Sequence, residues 1–279
     1  MGKLLFGTGG SPWSSATRST ADGIKRIAEL GLGCMEVEFV EGVRIKELIA
    51  RQINNIAANR NIKLSVHAPY FINLNSPEPD KVKASQERIM QAARAATLCG
   101  ATEVVFHPAF YMHEKPEEVY LKVKERLSEV LEQVNRENLP VTLRPELMGK
   151  NTQFGTLEEI LELAIELKGV APCLDLAHWH ARTGKYNTYY EFISILTQVK
   201  KRLGEAALDR LHIHIAGIDY APFGEKKHLD IKDSDLNYEE MLRAFRDMDA
   251  GGLVICESPN LEEDALMLQR TYTNLMRKI

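Results

Sequence analysis

The stretch Pro172–His178, PCLDLAH, is a short apolar run that ends in a carboxylate and an imidazole. Its length and its Leu content suit a strand buried on both faces, as in a parallel sheet covered by helices. Seven other runs share this build: KLLFG (3–7), CMEVEFV (34–40), KLSVHAP (63–69), EVVFHPA (103–109), PVTLRPEL (140–147), RLHIHIAG (210–217) and GLVICESP (252–259). Most are bounded by Gly, Pro or Asn, which punctuate strands.

Between the runs, helical apolar spacing predicts helices at 19–31, 43–60, 80–99, 116–137, 157–168, 188–204, 237–249 and 262–277. Thr156 with Glu159 forms a capping-box pattern that closes at Gly169, and Pro116 opens the helix that follows it. Eight strand-helix units in strict alternation, without a linker, predict one (β/α)8 TIM barrel spanning residues 1–279 as a single domain. A doubly wound open sheet is the competing architecture.

The 279-residue chain carries a formal net charge of −4, so no overall basic field points to a nucleic acid or to a membrane surface. No apolar run is long enough to span a bilayer, and the N-terminal residues lack the pattern of a signal peptide. Cys34, Cys99, Cys173 and Cys256 are widely separated. They read as small buried hydrophobes in a reducing, cytoplasmic compartment.

Barrel enzymes build their sites at the C-terminal ends of the strands. In this chain those ends carry His67, His107, Glu146, Asp175 with His178, His212 with His214, and Glu257, while the loop after the seventh strand adds His228. Taken singly, a strand-end His is a hydrogen-bonded core residue, and Glu146 pairs with nearby Arg144. Taken together, several buried carboxylates require cations, and imidazole plus carboxylate without thiolate suits Zn²⁺ or Mn²⁺. His113 reads as an exposed loop residue, and His180 as an exposed loop residue or else a group that supports the ligands from behind.

With these residues assembled, the chain resembles the endonuclease IV family of the xylose-isomerase-like barrels. The resemblance is strongest from about 63 to 180, in VHAPYFINLNSPEPDKVKASQERI, FHPA and CLDLAHWHARTG, and looser at HIAG (214–217) and CESP (256–259). It implies a DNA endonuclease that cleaves 5′ to abasic sites in base excision repair and holds two or three Zn²⁺. His67 and His107 would bind the first ion, and Glu146 would bridge to a second held by Asp175, His214 and Glu257. His178 and His228 would hold a third. Glu146 and Glu257 would be the catalytic carboxylates, Tyr70 would wedge into the damaged duplex, and His212 would be an alternate to His214.

Three departures stand out. The family has an Asp two residues before the third-site His, where GEKKHLD places Lys226; Glu225, Asp230 or Lys226 itself are the candidates to supply the missing function. The family's Glu-Asn-Thr-Ala-Gly is PELMG here, and its basic loop after the second strand is the acidic EVEFVEGVRIKE. The alternative function is a sugar or sugar-phosphate isomerase or epimerase of the same superfamily. It needs one ion on Glu146, Asp175, His214 and Glu257, with His178 on the substrate and no task for His67 and His107.

Overall fold

The computed structural model describes residues 4–277, so Lys3, at the start of the first expected strand, lies outside it. The strands are β1 (Leu4–Gly9), β2 (Cys34–Glu38), β3 (Lys63–His67), β4 (Glu103–Phe106), β5 (Ala109–Phe110), β6 (Thr142–Pro145), β7 (Gln153–Phe154), β8 (Cys173–Asp175), β9 (Leu211–Ile215), β10 (Gly217–Ala221), β11 (Gly224–Leu229) and β12 (Gly252–Cys256). The helices are α1 (Thr20–Glu29), α2 (Glu47–Arg60), α3 (Pro79–Cys99), α4 (Pro116–Arg136), α5 (Leu157–Glu166), α6 (Leu176–Thr183), α7 (Tyr189–Leu203), α8 (Tyr238–Asp247) and α9 (Glu262–Met276).

Eight strands form one parallel sheet in the order β6-β4-β3-β2-β1-β12-β9-β8. Parallel bridges Leu143↔Val170 and Glu146↔Cys173 join its two edges and close the ring. The fold is a TIM barrel, as the alternation predicts. The expected start signals act where they stand, whereas α5 stops at Glu166 with Leu167 as its C-cap, two residues short of the expected Gly169. Thr156 and Glu159 form a reciprocal capping box on α5, and Pro79 and Pro116 open α3 and α4.

Three features depart from the sequence reading. The run 172–178 is strand only as far as Asp175, whose carboxylate caps α6 by accepting from the His178 N–H at 2.6 Å. The apolar residues Leu174 and Leu176 continue the run across this change, which hides an eight-residue helix from periodicity. The chain after β4 turns at Pro108, and β5 pairs antiparallel with β7. The connection after β9 is an antiparallel hairpin of β10 and β11, so His228 sits on a strand and not in a loop.

Candidate metal centre

Side chains alternate across a strand, so residues two apart share the barrel interior. The register pairs Glu36 with Ser65, Glu38 with His67, Cys173 with His212 and Asp175 with His214. The interior is therefore polar over two successive levels at its C-terminal end. β1 contributes Gly9 to this wall, where a Cβ would stand 3.3 Å from Glu257 Cγ and 3.5 Å from Glu38 Oε1. A glycine there leaves the carboxylates room.

Glu146 lies at the centre of the upper level. Its Oε2 is 3.2 Å from His67 Nε2 and 3.1 Å from His107 Nε2, and its Oε1 is 3.3 Å from His178 Nδ1 and 3.4 Å from His214 Nδ1. His214 Nδ1 also lies 3.2 Å from Glu257 Oε1, and His178 Nε2 lies 3.3 Å from His228 Nε2. Of five groups among the described residues whose ligand atoms lie within 4.8 Å of one another, three surround this level: His67, His107 and Glu146; Glu146, Asp175, His214 and Glu257; and Asp175, His178 and His228; the other two are Cys173, His212 and His214, and Glu36, Glu38 and Glu257. Of the three, the first two share Glu146, and the last two share Asp175. They face a cavity of about 450 Å³ lined also by Glu38, Tyr70, Lys150 and Glu225.

The electrostatics fit cations. Asp175 Oδ2 and His214 Nδ1 are buried without a hydrogen-bond partner, although both belong to the second group. Burial lifts the Asp175 carboxyl to about 6 and that of Glu38 to about 8, with neighbouring Glu146 and Glu36 respectively among the groups adding to the effect. Burial disfavours charge on His67 and His178, yet Glu38 with Glu146, and Asp175 with Glu146, outweigh it and raise both imidazoles to about 10. For Glu146, burial is overcome by His107 and His214, which hold its carboxyl well below the usual range. Divalent ions coordinated here would offset the same clustered carboxylates directly. The donors are nitrogen and oxygen, which suits Zn²⁺ or Mn²⁺.

Beneath this level lies a group that the sequence reading misses. Glu36 is fully buried, accepts from Ser65 Oγ at 2.6 Å, and stands 2.9 Å from His212 Nε2 and 3.0 Å from His214 Nε2. Because Glu36 occupies the Nε2 side of His214, Nδ1 is left to face Glu146 and Glu257. Glu38, which lines the cavity, is missed as well. The signal is present in CMEVEFV, where Glu36 and Glu38 alternate with Met35 and Val37 and so point to the interior with Cys34.

The other candidates fall as follows. Tyr70 is 47% exposed at the mouth and stacks on His107 with ring centroids 5.4 Å apart. His212 lies one level deeper than His214, on Glu36. Lys226 is exposed and lies 3.7 Å from Asp219 Oδ1, and Asp230 accepts from the Asn260 N–H. His113 is exposed, as expected. His180 is not: it is buried on α6, with Nδ1 2.8 Å from the Lys185 carbonyl and Nε2 3.2 Å from Asp235, because α6 turns it inward. Arg144 does not pair with Glu146. It shares the interior face with Glu146 but lies nearer the start of the strands, where it reaches Glu103 and the carbonyls of Pro172 and Arg210.

A sequence-family model described as xylose isomerase-like TIM barrel matches residues 24–273. The chain belongs to the xylose isomerase-like TIM barrel family. An uncharacterized protein of Methanocaldococcus jannaschii is 42% identical over 98% of both chains. A probable endonuclease 4 of Oceanobacillus iheyensis is 29% identical over 61% of this chain and 58% of its own length, and one from Ureaplasma parvum is 26% identical over 61% and 57%. The chain thus spans little more than half of those endonuclease relatives. Among solved structures, endonuclease IV from Thermus thermophilus superposes with a TM-score of 0.77 at 18% identity, covering 98% of this chain and 100% of that one. A D-tagatose 3-epimerase-like protein superposes with 0.74 at 19%, covering 100% and 98%. At such identities the superpositions speak for the shared barrel alone. Among the described residues, no helix is long and apolar enough to cross a membrane.

Proposed function

We propose that this protein is a metal-dependent endonuclease that hydrolyses the DNA phosphodiester 5′ to abasic sites, in base excision repair. The observation that carries the reading is the group of His67, His107 and Glu146, which shares Glu146 with a second complete donor group. A one-ion isomerase has no use for the two extra imidazoles. The partial matches to proteins named probable endonuclease 4 support the same reading.

In this reading His67 and His107 hold a first divalent ion and Asp175, His214 and Glu257 a second, with Glu146 between them, while His178 and His228 form a third site. Zn²⁺ is the proposed metal, with Mn²⁺ as the substitute. Bound ions supply Lewis-acid activation of water and neutralise charge on the phosphate. The protein's own part is orientation. Glu36 sets the His214 ring, Asp175 holds the start of α6 and with it His178, and Tyr70 offers an exposed ring to the lesion at the cavity mouth. The substrate is damaged double-stranded DNA, and the local charge of the ions offsets the chain's acidity. The four free, buried thiols support a cytoplasmic location.

One observation favours a second reading, a single-metal sugar or sugar-phosphate epimerase. Glu38 and Glu225 add carboxylates to a cavity wall whose lysine or arginine, among the described residues, is Lys150 alone. That wall suits a neutral polyol better than a polyanion. The deciding experiment incubates an abasic-site duplex with the metal-loaded protein, with and without chelator. Chelator-sensitive incision 5′ to the site is expected. Absence of incision by a protein that carries its full metal complement removes the nuclease reading.

A further inference from the structure

The third donor group shares its one carboxylate, Asp175, with the second. The strand that carries His228 has Lys226 at the position two residues before it, and in a regular strand those two side chains share a face. The strand is not regular. Along the hairpin, Tyr220 pairs with Glu225 but Asp219 pairs with Lys227, so β11 advances by two residues while β10 advances by one. Lys226 is the extra residue of a β-bulge. A bulge of this kind reverses the facing of everything beyond it, and such bulges re-aim side chains beside functional sites.

The consequences are visible in the side chains. Lys226 is turned outward toward Asp219. Glu225, three residues before His228, lines the same cavity as His228 and places its Oε2 3.5 Å from His178 Nε2. The placement is pinned on both flanks: the Glu225 N–H donates to the Gly149 carbonyl at 3.0 Å, and Lys150 bridges to Gly224. Gly149 is matched to this packing, since a Cβ there would lie 2.8 Å from Glu225 Cβ, 2.9 Å from its Oε2 and 3.1 Å from His178 Cδ2. The two imidazoles are already at ligand spacing. Two nitrogens bound at about 2.0–2.1 Å to one tetrahedral Zn²⁺ stand about 3.3–3.4 Å apart, and His178 Nε2 is 3.3 Å from His228 Nε2.

We infer that Glu225 is the carboxylate ligand of the third metal site, brought there by the bulge at Lys226, and that Lys226 takes no part in it. The inference rests on the multi-metal reading of the centre. It assigns to the His178 and His228 pair a carboxylate that the second site does not share.

The test counts ions on the full-length chain. Metal-free wild type, Glu225→Gln, Lys226→Ala and, as a positive control, His228→Ala are titrated with Zn²⁺ and followed by native mass spectrometry. Thermal melts of the metal-free forms check that each is folded. Wild type and Lys226→Ala are expected to take three ions. Glu225→Gln is expected to keep two and to bind the third more than about 100-fold more weakly, beyond the loss typical of an outer-shell partner. Retention of the third ion by Glu225→Gln at wild-type affinity overturns the inference. So does its loss in Lys226→Ala, or a wild type that never takes a third ion. Incision of an abasic duplex, measured in parallel on the wild type, judges the nuclease reading separately: three ions without incision would sink that reading, while the ion count of Glu225→Gln would still decide the role of Glu225.

Discussion

Replacing Glu36 by Gln is the sharpest probe of the barrel interior. The change is nearly isosteric, so it alters charge and hydrogen bonding at constant volume. Glu36 is fully buried and in contact with Ser65 at 2.6 Å, His212 at 2.9 Å and His214 at 3.0 Å. Removing one partner from a buried charged network costs about 3–5 kcal/mol, because the groups left behind cannot recover their hydration. Unfolding entropy of about 2.1 cal/mol/K per residue, over 279 residues, converts that loss to a fall of about 5–9 °C in the midpoint of the metal-free protein. A second effect acts on metal. With Glu36 neutral, the His214 ring is free to turn its other nitrogen to the cavity, and loss of such an orienting partner weakens metal binding by about 10–100-fold. Denaturation of the metal-free forms and Zn²⁺ titration of both proteins measure the two effects. A midpoint shift under about 1 °C together with unchanged affinity would refute the reasoning, since Glu36 would then neither stabilise the interior nor set His214.

Three further predictions follow from the same geometry. His67→Ala should lower the ion count by one and abolish incision of an abasic duplex; incision at the wild-type rate would remove the first site from the mechanism. Loading the metal-free protein with Zn²⁺ at pH 7 should release protons, because His67 and His178 titrate near 10 when no cation is present and must be neutral to bind one. Affinity should therefore rise with pH from neutrality up to about 10, and calorimetry in buffers of different ionisation enthalpy that finds no proton release would contradict it. Tyr70→Ala should raise KM for the abasic duplex by about 5–150-fold if its exposed ring stacks on a base, given about 1–3 kcal/mol per stacked base, with kcat changed far less; an unchanged KM would leave the ring without a role in binding.

The barrel is legible in the chain because its determinants are local and repeated. Buried parallel strands must be apolar on both faces, their helices must cap and stop, and eight such units in register with Gly and Pro punctuation leave few other architectures. Glu146, Asp175, His214 and Glu257 are legible as candidate site residues for the same reason: each is a polar group at the end of an apolar run, at the rim where barrels of this kind build their sites. Glu36 and Glu38 show the limit. Their alternation with Met35 and Val37 is plain in the chain, but only the register with Ser65 and His67 makes that face an interior shared with the candidate metal ligands.

What tertiary structure alone decided concerns side chains whose direction depends on irregular backbone. Asp175 ends a strand and caps a helix at once, which buries His180 where the sequence suggests a loop. At Lys226 one extra residue in β11 reverses the facing of the strand, sends the lysine to solvent and turns Glu225 toward His178. A period-two pattern carries no mark of where the count slips, because the slip is set by pairing with β10 and by the anchorage of Gly224 and Glu225 to the segment Gly149–Lys150. The sequence by itself determined the ring and most of its polar rim; the long-range pairing determined which nitrogen and which carboxylate faces the cavity.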